Sequence, residues 1–169
     1  MIRSLLILGI DPGLRHTGWG IVAQDGNRLS YVAAGRISPN SDLPMAERLV
    51  SLAEGLAIVL TQHQPSEAAI EETFVNKNAL SALKLGQARG AAMLTLAQAG
   101  LPVSEYSPNR IKQSVTGYGH ADKVQVQAMI NMLLPGAGKL AADAADALAV
   151  AIAHAHHSSS PIYAAAKGR

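Results

Sequence analysis

The chain has 169 residues, no cysteine, 49% apolar residues and a formal net charge of +2. That length and apolar content suit a single domain with its own core, while the lack of cysteine excludes disulfides and thiolate metal sites and is typical of a reducing compartment. No signal peptide and no run of about 20 apolar residues is evident, so a cytoplasmic protein is predicted.

Hydrophobic periodicity predicts strands and helices that alternate along most of the chain. Three strands come first, and a hairpin turn at Asp25-Gly26-Asn27 joins the second to the third, because Gly and Asn accept positive φ at little cost. The predicted strands are 5–10, 17–24, 28–38, 68–71 and 101–106. The predicted helices are 44–63, 79–99, a short one from Pro108, 122–134 and 141–156.

This order of elements predicts an α/β fold. A three-stranded meander followed by alternating helices and strands is typical of a mixed sheet covered by helices. We expect a single domain over residues 1–157 and a disordered C-terminal tail over residues 158–169.

Four carboxylates occupy positions from which they could share one site. Asp11 ends the first strand and Glu71 the fourth, and the carboxyl ends of strands in an open α/β sheet meet at one edge. Asp143 and Asp146 are three residues apart and therefore share one face of the last helix. Crowded like charges are unfavourable without cations, and carboxylate oxygens are ligands that Mg²⁺ accepts. The set predicts a divalent-metal site for phosphoryl chemistry, with two ions about 3.5–4 Å apart.

Each carboxylate has a simpler interpretation when it is considered alone. Asp143 and Asp146 could answer the helix dipole, and Asp11 before Pro-Gly could form a turn. Glu71 is harder to explain in this way, because an acid that closes an apolar strand is costly unless it is solvated or paired. Taken together, the four residues favour the metal site.

Charge is unevenly distributed along the chain. Residues 1–72 carry a net charge of −3, whereas residues 73–139 carry a net charge of +5. An acidic site in a chain with a basic middle suits a polyanion that is held by one surface and processed at another. On charge alone, an ordinary solvated surface is the simpler interpretation.

Sequence motifs in a fixed order extend from about residue 6 to residue 156. They are Gly9-Ile-Asp11-Pro-Gly13 with Thr17-Gly18, Ala69-Ile-Glu71 followed by Phe74, Asn78-Ala-Leu-Ser-Ala-Leu-Lys-Leu-Gly-Gln-Ala-Arg-Gly90, Lys112-Gln113, Lys123 and Ala142-Asp-Ala-Ala-Asp-Ala-Leu-Ala149. In this order and spacing they resemble the RuvC family, the bacterial Holliday (crossover) junction endodeoxyribonucleases of the ribonuclease H-like superfamily.

The resemblance implies a five-stranded mixed sheet flanked by helices on both faces. It also implies a homodimer that makes paired, symmetric nicks in four-way junction DNA during recombination and repair, leaving 5′-phosphate and 3′-hydroxyl ends. By the same resemblance, residues at the family's catalytic positions are expected to bind two Mg²⁺ ions, with Mn²⁺ as an alternative, and to carry out catalysis. The branch-migration proteins RuvA and RuvB are the expected partners. Some family members carry His at the position of Asp143, where Asp still suits Mg²⁺. The matching positions are Asp11, Glu71, Asp143 and Asp146.

The resemblance further predicts contacts to DNA. Phe74 is a candidate for unstacking bases beside the cut, since stacking is worth about 1–3 kcal/mol per base, although a lone loop aromatic is normally a core anchor. Lys112 and Lys123 match positions that contact the backbone near the scissile phosphate. Weaker candidates, supported only by local charge, are Arg110, Lys84, Lys77 and Arg89.

Two further features receive structural interpretations. His154 lies roughly 12 Å along the last helix from Asp146, so it is interpreted as a helix-end cation, like the two histidines that follow it. Small residues on the long helix, Gly86 and Gly90 among them, are placed by the resemblance at the dimer interface. Packing within one subunit is the alternative for these small residues.

Two other functions stay open on the sequence. The segment Asp11-Pro-Gly-Leu-Arg-His-Thr17-Gly18 resembles the first phosphate loop of actin–hexokinase-type kinases and ATPases. Those proteins need a second such domain and a glycine-rich adenosine motif, which this chain lacks. A junction-binding protein without catalysis is the other alternative, and the complete set of acids argues against it.

Overall fold

The structure, a computed structural model, describes residues 4–13, 15–73 and 78–159. Within these ranges the strands are β1 (Leu5–Asp11), β2 (Thr17–Asp25), β3 (Arg28–Ile37), β4 (Glu67–Glu71) and β5 (Val103–Tyr106). The helices are α1 (Met45–His63), α2 (Ala79–Gln98), α3 (Pro108–Thr116), α4 (Lys123–Leu133) and α5 (Ala142–Ser158), with a 3₁₀ turn at Pro135–Ala137.

The strands form one mixed sheet in the order β3-β2-β1-β4-β5. The first three are an antiparallel meander, and β4 and β5 run parallel to β1. The hairpin between β2 and β3 closes at the pair Asp25 and Arg28, and Gly26 in its turn has a φ of 59°, which favours glycine. The predicted α/β fold with a five-stranded mixed sheet is therefore confirmed.

Helices cover both faces of the sheet, as predicted. One core contains side chains of α3, α4 and α5, and the other contains side chains of α1 and α2. Nearly every residue of α5 from 144 to 155 is buried, because its many alanines let neighbouring backbones approach on several sides. Among the described residues, no helix has the length and hydrophobicity of a membrane span.

Two glycines let α5 lie directly on the sheet. A Cβ atom added at Gly9 would lie 2.1 Å from the carbonyl oxygen of Ala147, and one added at Gly18 would lie 1.9 Å from that of Asp143. Side chains larger than hydrogen would therefore push the helix away from β1 and β2. The absence of Cβ atoms at these positions sets the height of the first turns of α5 above the sheet.

Several predicted element ends move by one or two residues. Strand β5 begins at Val103 and not at residue 101, since Pro102 has no N–H to give to the ladder, although its carbonyl oxygen accepts a bond from Ala68. Helix α5 continues through Ser158, where the hydroxyl and the following Ser159 N–H both donate to Ala155 O. The predicted disordered tail stays a prediction, and its residues 160–169 lie outside the described ranges.

Candidate active site

Asp11 and Glu71 lie side by side at the carboxyl ends of β1 and β4. The two strands are parallel, and their last paired residues, Ile10 and Ile70, directly precede the two acids. Side chains alternate along a strand, so Asp11 shares the face of Gly9, against which α5 packs. The two carboxyl groups are close enough that the charge of Glu71 raises the pKa of Asp11.

The start of α5 brings Asp143 and Asp146 to the same place. Gly18 is the cross-strand partner of Asp11, and the Asp143 backbone lies directly over it. The charges of both aspartates act on the Asp11 carboxyl. The structure thus brings all four predicted carboxylates together, although among the described residues no group of three or more His, Cys, Asp or Glu side chains forms a ready-made ion site.

The protonation of these carboxylates reflects their crowding. Burial, followed by the charge of Glu71, raises the pKa of Asp11 from its ordinary 3.8 to about 8. Burial also raises the pKa of Glu71 and of Asp146, and in the case of Asp146 the charge of Lys123 opposes the rise. The charged forms are therefore disfavoured in the protein alone, and nearby positive charge would favour them.

Two lysines supply positive charge on the opposite side of the cleft. Lys123 Nζ lies 3.7 Å from Asp146 Oδ2. The charge of Lys112 partly opposes the rise in the pKa of Glu71 and of Asp146. The cleft that these two lysines line together with Glu71 and Asp146 has a volume of about 280 Å³. Its lining combines these charged groups with an apolar wall formed by Pro108, Ile111, Val126 and Ala149.

Helix caps fix where both lysines project. Ser107 caps α3 and Pro108 occupies its first turn, which places Lys112 one turn further along. Asp122 forms a capping box with Gln125, so α4 begins at Lys123. The cleft is therefore framed by two helix starts whose sequences specify them locally.

The remaining predicted DNA-contacting residues lie in different surroundings. Arg89 turns inward, where its Nε donates to the Glu71 carbonyl oxygen at 3.0 Å and its guanidinium pairs with Glu105. These contacts tie α2 to the end of β4, and contact of Arg89 with DNA stays a prediction. Lys84 lines a small cavity beside Arg48. The other candidates are Arg110, exposed on α3, and Phe74 and Lys77, which lie outside the described residues.

One sequence interpretation is wrong. His154 is not an exposed residue at the helix end, because its side chain is only 1% exposed, and its Nε2 donates to Glu67 Oε2 at 2.8 Å. Its Nδ1 lies 2.8 Å from the hydroxyl oxygen of Tyr106. The helical repeat contained a signal for this burial, since His154 lies three and seven residues past Ala151 and Ala147, which face β1.

A cation near Asp143 was also missed by the sequence analysis. Arg36 projects from the end of β3, and its Nη1 lies 3.8 Å from Asp143 Oδ2. The guanidinium is half exposed, so the pair contributes little to stability. The sequence gives no signal for this ion pair, because 107 residues separate Arg36 from Asp143. The pair becomes visible only when the fold places the end of β3 beside the start of α5.

Comparison with known proteins identifies similar chains over most of the sequence. The family model described as Crossover junction endodeoxyribonuclease RuvC matches residues 7–154. The crossover junction endodeoxyribonuclease RuvC of Rhodopseudomonas palustris (strain TIE-1) is 61% identical over 155 residues, which cover 92% of this chain and 89% of the relative.

Solved structures with the same arrangement of elements were also found. T. thermophilus RuvC in complex with Holliday junction substrate has a TM-score of 0.85 and 32% identity, covering 92% of this chain and 95% of that chain. The yeast mitochondrial Holliday junction resolvase Ydc2 has a TM-score of 0.63 and 13% identity, covering 96% and 85%, and shares the fold. These matches confirm the predicted ribonuclease H-like fold class.

Proposed function

The chain belongs to the RuvC family of crossover junction endodeoxyribonucleases, and on that premise we propose that it cuts four-way DNA junctions in recombination and repair. The observation that carries this proposal is the set of four neighbouring carboxylates from three elements, two of which, Glu71 and Asp146, line one cleft together with Lys112 and Lys123. Carboxylates and lysines in this arrangement suit hydrolysis of a phosphodiester bond.

The chemistry of the donor set fits divalent cations. Burial and mutual repulsion raise the pKa of Asp11, Glu71 and Asp146, so their charged forms are disfavoured in the protein alone. A bound cation would offset this repulsion and stabilise the charged carboxylates. We propose that these three residues and Asp143 hold two Mg²⁺ ions, with Mn²⁺ as an alternative. When bound, the ions supply Lewis-acid stabilisation of the negative charge that develops on the phosphate.

The residues of the chain contribute positioning and electrostatics. Lys112 and Lys123 hold the scissile phosphate against the carboxylates through charge-assisted hydrogen bonds. The apolar wall of the cleft excludes water from one side and so strengthens these interactions. Attack of a water molecule on phosphorus forms a new P–O bond while the bond to the 3′ oxygen breaks, which leaves the proposed 5′-phosphate and 3′-hydroxyl ends. Phe74, three residues past Glu71, is proposed to stack on a base beside the cut.

A homodimer is proposed from the exposed face of α2. Leu80, Leu83 and Leu94 are 59–61% exposed and share that face with Gly86 and Gly90, at which an added Cβ would meet nothing within 4 Å. Exposed apolar side chains in one stripe are typical of an interaction surface. A two-fold dimer would match a junction with two equivalent cuts. The branch-migration proteins RuvA and RuvB are the proposed further partners.

The decisive experiment is incubation of the protein with a synthetic four-way junction and Mg²⁺. Linear duplex and single-stranded DNA serve as control substrates, and Glu71→Gln is the matched variant, because it keeps the shape of the side chain and removes its charge. We expect paired nicks on the junction alone, and we expect the variant to bind the junction without cutting it. Junction binding without cutting in any divalent metal would contradict the proposal and leave a binding protein.

A further inference from the structure

A second basic groove lies between α3 and α5. It has a volume of about 240 Å³ and shares no lining residue with the cleft that Glu71 and Asp146 line. Successive helix residues are turned by about 100°, so Arg110 and Ser114 line this groove while Lys112, on the other flank of α3, lines the catalytic cleft. The complete lining is Tyr106, Arg110, Ser114, Ala153, His156 and His157.

We propose that this groove binds a phosphate group, supplied by the DNA backbone of a bound junction. The proposal rests on the proposed function and adds to it a contact outside the catalytic cleft. Three of the lining side chains are basic, and none is acidic. An Arg guanidinium presents a planar fork that matches two phosphate oxygens, and a serine hydroxyl can donate to a third.

Buried polar groups hold the floor of the groove in place. The Tyr106 side chain is 3% exposed, and its hydroxyl oxygen lies 2.8 Å from His154 Nδ1. His154 Nε2 in turn donates to Glu67 Oε2 at 2.8 Å. The carboxylate can only accept, so the Nε2 position carries a proton. A buried His–Glu pair costs desolvation, and this one fixes the orientation of the aromatic ring.

The fixed ring orients the basic groups above it. Arg110 Cζ lies 5.3 Å from the centroid of the Tyr106 ring, a distance typical of a cation–π contact. The His157 ring packs edge-on against the same ring, with centroids 5.7 Å apart. A guanidinium that already rests on an aromatic face loses less freedom when it binds a phosphate, which makes the site pre-organised.

The other wall of the groove is tied to α3. His156 Nδ1 donates to the Ser114 carbonyl oxygen at 3.0 Å, so the last turn of α5 is anchored to the last turn of α3. Lys112 projects from the opposite flank of α3, which is about 10–12 Å across. A DNA strand leaving the catalytic cleft over α3 would therefore pass the groove, and the two cationic flanks would hold successive parts of its backbone.

The test is the salt dependence of junction affinity, measured without divalent cations by fluorescence anisotropy. In Arg110→Gln we expect the slope of log affinity against log salt to become shallower by about 0.9 for each protomer that contacts the junction. At roughly 0.1 M salt, the same counterion release predicts an affinity loss of about eightfold per contacting protomer. Arg28→Gln, which removes an exposed arginine from the β2–β3 hairpin outside the groove, should leave both quantities unchanged.

A conservative variant separates a phosphate contact from a structural role. Arg110→Lys keeps the charge, so the wild-type salt slope should be largely retained while affinity falls because the planar fork is lost. Circular dichroism melting identifies any variant that is unfolded at the assay temperature. If Arg110→Gln binds with the wild-type slope and affinity, or if Arg110→Lys loses as much slope as Arg110→Gln, the proposal is overturned.

Failure of the proposed function would have a different signature. If the wild type cuts the junction but Arg110→Gln binds like wild type, only the groove proposal is wrong. If the wild type does not bind junctions, titration with inorganic phosphate decides, read from the NMR signals of the His156 and His157 rings. Shifts in the wild type that are absent in Arg110→Gln would support a site for free phosphate, and an unchanged spectrum would overturn the site altogether.

Discussion

Replacing Gly18 by alanine tests whether close packing of α5 on the sheet positions the candidate active site. Gly18 pairs with Asp11 across β1 and β2, and the Asp143 backbone lies directly above it. A Cβ atom at this position would lie 1.9 Å from the Asp143 carbonyl oxygen and 2.5 Å from its carbonyl carbon. Both contacts involve backbone atoms, so no side-chain rotation can relieve them, and the start of α5 has to move.

The size of the effect follows from these distances. Restoring ordinary contact requires the first turn of α5 to retreat by on the order of 1 Å, and overpacking of this kind costs about 1–3 kcal/mol. For a chain of this length each kcal/mol lowers Tm by about 2–4 °C, so a decrease of roughly 2–12 °C is expected. Displacement of a positioned catalytic group by about 1 Å can cost a hundredfold in rate, and junction nicking should fall by about that factor.

Two measurements check this prediction against a matched variant. Thermal unfolding reports the packing cost, and single-turnover nicking of a four-way junction in Mg²⁺ reports the displacement of Asp143, with binding measured separately. Gly136→Ala is the control, since a Cβ there would meet nothing within 4 Å, and it should behave like wild type. A Gly18→Ala protein with wild-type Tm and wild-type nicking would refute the link between helix height and the site.

Three further predictions concern other parts of the molecule. Because the pKa of Asp11 is raised from 3.8 to about 8, the folded state binds more protons than the unfolded state between these values, and stability falls as pH rises through that window. Metal-free Asp11→Asn should therefore melt above wild type at pH 8, by on the order of 10 °C, and approach it near pH 4, and a lower Tm at pH 8 would contradict this sign. His154→Leu removes the imidazole that donates to the buried Glu67 carboxylate, which should lower the free energy of unfolding in urea by about 3–5 kcal/mol. Part of this loss should be regained when Glu67→Leu is added. A loss below about 1 kcal/mol would show that the pair does not stabilise the fold. Leu83→Glu changes an exposed residue of α2, so it should alter the free energy of unfolding of the subunit by less than about 0.5 kcal/mol. Light scattering should show that the proposed dimer becomes a monomer. An unchanged molecular mass would place the interface elsewhere.

The sequence by itself determined the secondary structure and much of the candidate site. Period-two and helical patterns predicted every strand and every longer helix to within about two residues at most ends, because these patterns depend on neighbours along the chain. The motifs around Asp11 and Glu71, together with the strand-end rule, predicted that the two carboxylates would meet. Ser107 and Asp122 are N-cap residues of the kind that start helices, so the positions of Lys112 and Lys123 were also local properties.

Only the tertiary structure decided how separate elements contact one another. Gly18 lies under Asp143 because β2 and α5 pack at backbone distance, and no pattern within either element specifies that contact. His154 looked like a cation at a helix end, yet its partner Glu67 is 87 residues away, and their pairing depends on α5 crossing β4. Contacts between distant segments are set by packing of the whole core, which is why the partner of a buried polar group and the pKa shifts cannot be derived from local sequence.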